Sequence, residues 1–389
     1  MFGGNGWEYD PATEEFYFHL FLKEQPDLNW RNPAVPRAIL DVMRFWLNRG
    51  VDGFRLDVFN AYFKQANLPD NPPKFGLRGF DRQRHIYDIS QPDMIPFLVQ
   101  LRTLFDSYPE RYVIGETFLE PPERAATYMG EQALHGAFNF NFLEQPWNPK
   151  GFLSSIQTWE NAMGRGRWPN YVLNNHDNPR STTRYRMADD DDQAKLAAMF
   201  LLTLQGTPFL YYGEEIGMRD IPLSRNEIMD PPGKKYWPIY TGRDGCRSPM
   251  QWSKETYGGF STAKPWLPIH PNYHSRNVEN QLDDPESLLS FYQRMLKFRK
   301  ENPVLQHGGW KPQATISEKV LSYLRSDGTA SLLIMLNFSA GPVKAALPNP
   351  ETGWKIRLSN RAVESPITQG IIDLAANQGI ILEPEAMDS

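Results

Sequence analysis

The sequence predicts an α/β protein, a parallel sheet wrapped by helices, followed by a small antiparallel β domain. Three observations predict it. Apolar strand-like runs alternate with stretches of helical period from Arg37 to about Glu301. Three of those runs end in an acid: Asp57, Glu116 and Asp177. After about Gly308 the texture changes to short β runs, "VLSYLR", "ASLLIMLNF" and "GIIDL".

In chain order, "RAILDVMRFWLNRG" has apolar residues at helical spacing and a glycine stop at Gly50, and the strand "VDGFRLDV" follows at once. "DMIPFLVQLRTLFDSYP" is the next helix and "RYVIGETF" the next strand. "AFNFNF" and "PNYVLNNHDNPR" read as two more strands, "DDDDQAKLAAMFLLTLQG" as a helix, and "TPFLYYGEEIGM" as the strand after it. The four aspartates Asp189 to Asp192 fit a helix N-terminus, where the macrodipole favours anions. From Ile221 to Pro271 the pattern stops, and eight of the chain's 33 prolines fall there. A loop of that length, rich in aromatics, reads as a rigid lid rather than disorder. "SLLSFYQRMLKFRKE" is the helix that closes the layer.

Composition narrows the function. With 389 residues, 40% hydrophobic and 22% charged, the chain can bury a core large enough for an enzyme. Its net charge of -5 lacks the basic excess of a nucleic-acid binder, so neutral partners fit better. Cys246 is the single cysteine, which excludes a disulfide within the chain and a thiolate metal site, and is compatible with a cytoplasmic location. The most apolar run, from Ala197, is broken by Gln205, Gly206 and Pro208 and is too short to span a membrane. The sequon at Asn337 ends an apolar run and reads as chance.

The acids carry the chemistry. In "GFRLD" the strand period puts Phe54 and Leu56 on one face and Arg55 with Asp57 on the other, so both charges point into one space. Strand ends of a parallel βα array converge on one face, where barrel enzymes build their sites. Asp57, Glu116 and Asp177 are separated by 59 and 61 residues, room for one or two βα units each, so they come from different strands. Two carboxyls flanking a glycosidic bond can hydrolyse it. A nucleophile must stay ionised, and Arg55 beside Asp57 favours that form, which makes Asp57 the better nucleophile. Glu116 has no cation beside it in sequence and sits in an apolar strand end, which suits a general acid. Asp177 is left to bind sugar hydroxyls or the developing oxocarbenium ion, with His176 adding a hydrogen bond.

"GFRLD", "GET" and "NNHDN", in that order, resemble the second, third and fourth signature regions of the α-amylase family of glycoside hydrolases. "QPDLNW" at Gln25 and "GRDGCRSPMQW" at Gly242 resemble its oligo-1,6-glucosidase and α-glucosidase branch. The resemblance implies a (β/α)8 TIM barrel, with Asp57 as nucleophile, Glu116 as acid/base and Asp177 as transition-state stabiliser. It implies Arg55 and His176 in the glucose subsite, Arg247 closing that subsite around the non-reducing end, and Phe2 flanking it. Val58 leans towards α-1,6 linkages in such a comparison, whereas "FNAYFKQANLPDNPP" is not typical of α-1,6 enzymes, so the bond stays open.

The family's first signature region would precede Phe2. The barrel is therefore expected to lack its first three strands and the chain alone to be inactive or weakly active. The expected division is 1–33 as a remnant of the inserted B domain, 34–307 as barrel strands four to eight with the lid 221–271, and 308–389 as the C-terminal β domain. The family's metal loop and the salt-bridge partner of Arg247 would lie in the missing part, so no metal and no cofactor are expected. The expected activity is that of a retaining, exo-acting α-glucosidase on short α-glucosides. A glucosyltransferase or sucrose-isomerising relative is the alternative, and a non-catalytic or inactive chain of the same fold the further one.

Overall fold

The computed structural model describes residues 4–76, 79–138, 140–164, 166–349, 351, 353–363 and 367–385. The chain forms two compact units, Met1–Asn139 with Asn161–Trp168, and Phe140–Glu160 with Pro169–Ser389.

In the first unit, strands β1 (Trp7–Asp10) and β2 (Glu15–Phe18) form an antiparallel hairpin. Helix α1 (Ala34–Asn48) buries Met43 and Leu47, four residues apart on one face, and ends where the Gly50 amide donates to the Leu47 carbonyl at 3.0 Å. Strand β3 (Gly53–Leu56) follows, then helix α2 (Met94–Asp106), strand β4 (Tyr112–Gly115) and the two-residue β5 (Gly136–Ala137). These three strands form a parallel sheet in the order β3-β4-β5, with Arg55 opposite Ile114 and Leu56 opposite Gly115. Leu56 and Val113 face a core they share with Leu101 and Phe105 of α2, while Arg55 faces the other way. The sheet register sets the site, because it brings the residues after Leu56 and Gly115 side by side.

The second unit contains most of helix α3 (Pro149–Met163), then the parallel pair β6 (Asn170–Val172) and β7 (Thr207–Phe209). Helix α4 (Asp192–Thr203) is buried from Ala194 onward. Helix α5 (Leu288–Glu301) is capped by Ser287, whose hydroxyl accepts from the Ser290 amide. Arg299 near its C-terminus donates to the carbonyl of Leu202, in the last turn of α4 where it has no partner inside the helix, and to that of Gly206 beyond its end.

The antiparallel domain has a five-stranded sheet of β8 (Gly309–Pro312), β9 (Val320–Ser326), β10 (Ser331–Asn337), β12 (Trp354–Ser359) and β14 (Gly379–Pro384). The order is β12-β14-β10-β9-β8, and β11 (Val343–Ala346) pairs with β13 (Ile371–Leu374). Asn337 is fully buried at the end of β10. Its amide nitrogen donates to the carbonyls of Gly341 and Ala375, so the sequon is a structural hub with no surface for a glycan.

Three expectations change. "AFNFNF" is not one strand: pairing stops at Ala137, and Phe140–Leu143 is a helical turn that buries both Phe142 and Leu143, with Phe142 against Tyr171 and Phe200. Three phenylalanines at alternate positions imitate a strand period, but a helical turn buries neighbouring side chains together. The segment 221–271 is not a bare loop, since it holds a helix at Pro231–Tyr236 and helical turns at Asp244–Arg247 and Thr256–Gly259. Of the four aspartates only Asp192 lies in the first turn of α4. Asp189, Asp191 and Asp192 each meet an arginine at 2.8 Å: Arg219, Arg276 and Arg361. Ion pairing therefore holds this cluster as much as the helix dipole does. The Phe2 expectation is untested, because Phe2 lies outside the described residues. No helix among the described residues is long and apolar enough to cross a membrane.

Candidate active site

The first group of functional side chains stands at the ends of β3 and β4. Arg55 Nη1 donates to Asp57 Oδ1 at 2.8 Å, and its Nη2 donates to Glu116 Oε2. One guanidinium thus bridges both carboxylates, a use of the planar fork that a lysine could not reproduce. Glu116 is not without a cation. Its partner comes from the neighbouring strand, through a register that sequence distance hides. The two acids differ in setting: the Asp57 side chain is 72% exposed and that of Glu116 only 10%.

The turn after β3 fixes this geometry. Val58 adopts φ +41° and ψ +40°, a left-handed conformation that is strained for a β-branched residue. Strain of this kind persists where surrounding contacts over-determine it, and here Phe59 and Asn60, next in the chain, are both buried. Asn60 Nδ2 donates to the Phe118 carbonyl at 2.8 Å while its Oδ1 accepts from the Phe118 amide at 2.9 Å. The segment three residues past Asp57 is therefore laced to the segment two residues past Glu116. Tyr62 stacks on Trp30 with centroids 4.4 Å apart, and burial, then the charge of Asp57, push its phenol up to about 12. It remains a neutral donor at ordinary pH.

The second group lies past β6. The Asn175 carboxamide oxygen accepts from the amides of Asp177 and Asn178, which shapes the turn presenting Asp177. Arg247 Nη2 and Arg243 Nη1 both donate to Asp177 Oδ1, at 2.9 and 3.1 Å, and His176 Nε2 lies 3.3 Å from Oδ2. Arg247 Nε also donates to the His176 carbonyl at 2.8 Å. Arg247 therefore has a salt-bridge partner in this chain, contrary to expectation. Arg247 ends the 3-10 turn Asp244–Arg247 and Arg243 caps its start, and both reach one carboxylate. Behind Arg243 stands Asp230, whose carboxylate takes Nη2 at 2.8 Å and Nε at 3.1 Å and is 1% exposed. Burial pushes the Asp230 carboxyl up, but the hydrogen bonds from Arg243 outweigh it and hold it below the ordinary value.

Residues 1–308 match the family model of the α-amylase catalytic domain. The chain belongs to that family. With it come the family's TIM-barrel fold with a C-terminal antiparallel sheet domain, and a place among the glycoside hydrolases. The chain is 37% identical over 366 residues to a probable α-glucosidase of Rhizobium meliloti (strain 1021), covering 90% of this chain and 66% of that protein. It is 33% identical over 384 residues to an oligo-1,6-glucosidase of Parageobacillus thermoglucosidasius, covering 90% and 68%. The chain spans about two thirds of the length of these relatives. Among solved structures it is similar to the α-glucosyl transfer enzyme XgtA, with a TM-score of 0.90 and 34% identity over 99% of this chain and 73% of the other. It is also similar to the isomaltulose synthase of Klebsiella sp. LX3, with a TM-score of 0.88 and 26% identity over 99% and 74%.

In this α-amylase family chain the predicted site residues fall into two sets. Arg55, Asp57, Val58 and Glu116 assemble in the first unit, and His176, Asp177 and Arg247 in the second. Sequence reasoning missed Asn60, Arg243 and Asp230. For Arg243 a signal was available, since it lies four residues before Arg247 in the same motif. Asp230 gave none, because its place depends on a loop folding back over thirteen residues. Among the described residues no group of three or more His, Cys, Asp or Glu side chains is arranged to hold a metal ion.

Proposed function

We propose that this protein is a retaining, exo-acting α-glucosidase that cleaves the non-reducing-end bond of short α-glucosides of the maltose or isomaltose type. The observation that carries the reading is the Arg55 fork on both Asp57 and Glu116, which keeps two carboxyls within reach of one glycosidic bond. Asp57, exposed and ion-paired, is the nucleophile. Glu116, sunk at its strand end, delivers a proton to the leaving oxygen and takes one from water in the second step. Asp177 stabilises the oxocarbenium-like charge, and Arg55, His176 and Arg247 hold the glucose ring, with Val58 beside the nucleophile. Phe2 belongs to the same proposed subsite and lies outside the described residues. In this reading β3 to β7 take the places of barrel strands four to eight, residues 221–271 cover the site, and no metal or cofactor takes part.

The test is proton NMR of the first-formed sugar. Two displacements at one carbon restore its configuration, so α-glucose should appear first from an aryl α-glucoside, maltose or isomaltose. β-Glucose appearing first overturns the mechanism. A second reading, transfer of glucose to a sugar acceptor, is favoured by the likeness to the α-glucosyl transfer enzyme XgtA. The same spectra decide it, because new glucosides in place of free glucose identify a transferase.

A further inference from the structure

We propose that Asp230 is a positioning residue that aims Arg243 at Asp177, and so sets how much of the Asp177 carboxylate is open to the sugar. The proposal rests on the α-glucosidase reading only for the role of Asp177. Asp230 takes three hydrogen bonds from one residue: Nη2 of Arg243 at 2.8 Å, its Nε at 3.1 Å and its backbone amide at 3.0 Å. That fork uses one whole edge of the guanidinium and leaves Nη1 directed at Asp177. A bidentate carboxylate–guanidinium pair fixes the plane of the group as well as its place.

The surroundings are built for this contact. The Asp244 carboxylate accepts from the amides of Met229 and Asp230 at 2.6 and 2.7 Å, so the residue after Arg243 holds the backbone at Asp230. Two glycines allow the approach. Gly242 has φ +82°, and a Cβ there would stand 2.9 Å from Asp230 Oδ2; a Cβ on Gly233 would stand 2.7 Å from the Thr241 carbonyl.

The consequence concerns competition. Loss of the Asp230 fork releases the Nη2–Nε edge of Arg243, which can then turn onto Asp177, 3.1 Å from Nη1, and occupy the lone pairs that sugar hydroxyls need. Asp230 never touches substrate in this account and acts only through Arg243.

The experiment compares the full chain with Asp230→Asn, Arg243→Met and the double variant. Asp230→Asn keeps the side-chain volume and should lower kcat on an aryl α-glucoside by about 10²-fold, the cost of a misplacement near 1 Å, with a smaller change in KM, both measured below a melt lowered by the lost ion pair. In the Arg243→Met background the same change should cost no further turnover. An unaltered kcat, or an equal loss in both backgrounds, overturns the proposal. A wild-type chain that releases β-glucose first instead refutes the α-glucosidase reading. The aim of Arg243 is then read from its Nε–H resonance by NMR. Slow exchange in the wild type and fast exchange in Asp230→Asn support positioning, and a resonance unaffected by the substitution overturns it.

Discussion

At the ends of β3 and β4 one guanidinium serves two carboxylates. Past β6 one carboxylate, Asp177, takes two guanidinium groups and faces an imidazole. The difference teaches what each cluster can do. Where carboxylates share a cation, attack and proton transfer can be divided between two acids whose exposure differs sharply, 72% against 10%. Where cations surround a carboxylate, the negative charge is held in place, as suits a group that meets developing positive charge without giving or taking a proton. Glu160 on α3 is a third case. Arg325 stands near it, but the guanidinium donates to the carbonyls of Gly309, Thr203, Leu305 and Gly308. Proximity without a pair leaves desolvation in control: burial pushes Glu160 up to about 7 against the pull of Arg325.

Asp57→Asn should have the largest effect. Deleting the nucleophile should lower turnover by about 10⁴-fold, the scale on which loss of one member of a catalytic set acts, with circular dichroism and melting unchanged. Near wild-type activity would move the chemistry out of the first cluster. Glu116→Gln comes next, with a loss of about 10²- to 10⁴-fold on natural glucosides and less on an aryl glucoside whose leaving group needs no proton. Equal losses on both substrates would deny Glu116 the acid role.

Arg247→Ala sharpens the contrast from the other side. Removing one charged hydrogen bond on Asp177 should raise KM by about tenfold and lower kcat less, as befits a group that binds rather than reacts. A fall in kcat at constant KM would place Arg247 with the reacting groups.

The smallest effect is on stability, and it separates a carboxylate with a bonded arginine from one without. The folded value of Glu160 lies above its unfolded one, so its contribution is fully present below about pH 4.5 and is lost as pH rises through about 7. Glu160→Gln should therefore melt like the wild type at pH 4 and be the more stable by about 1–2 kcal/mol above pH 7, once solvent screening is counted. A stability difference that does not grow with pH would show that Arg325 compensates the charge.

Much of the fold was legible in the sequence because it rests on local periodicity. The helical spacing before Gly50, the alternation in "GFRLD" and the shift to short β runs after Gly308 need only neighbours in the chain to be read. The same alternation put Arg55 and Asp57 on one face, and strand-end logic singled out Glu116 and Asp177. "AFNFNF" failed for the converse reason: two or three aromatics fit both periods, and only the packing of Phe142 decides between them.

By itself the sequence determined which residue types were available and which ends of which elements carried them, since a period of 2.0 or 3.6 is a property of adjacent residues. Tertiary structure alone decided how the charges were partnered. It gave Arg55 to Glu116 as well as to Asp57, turned Arg243 and Arg247 together onto Asp177, and set Asp230 behind Arg243. The physical reason is range: a hydrogen bond is settled over about 3 Å, and pairs 61 or 66 residues apart come within it only when sheet register and loop closure are complete.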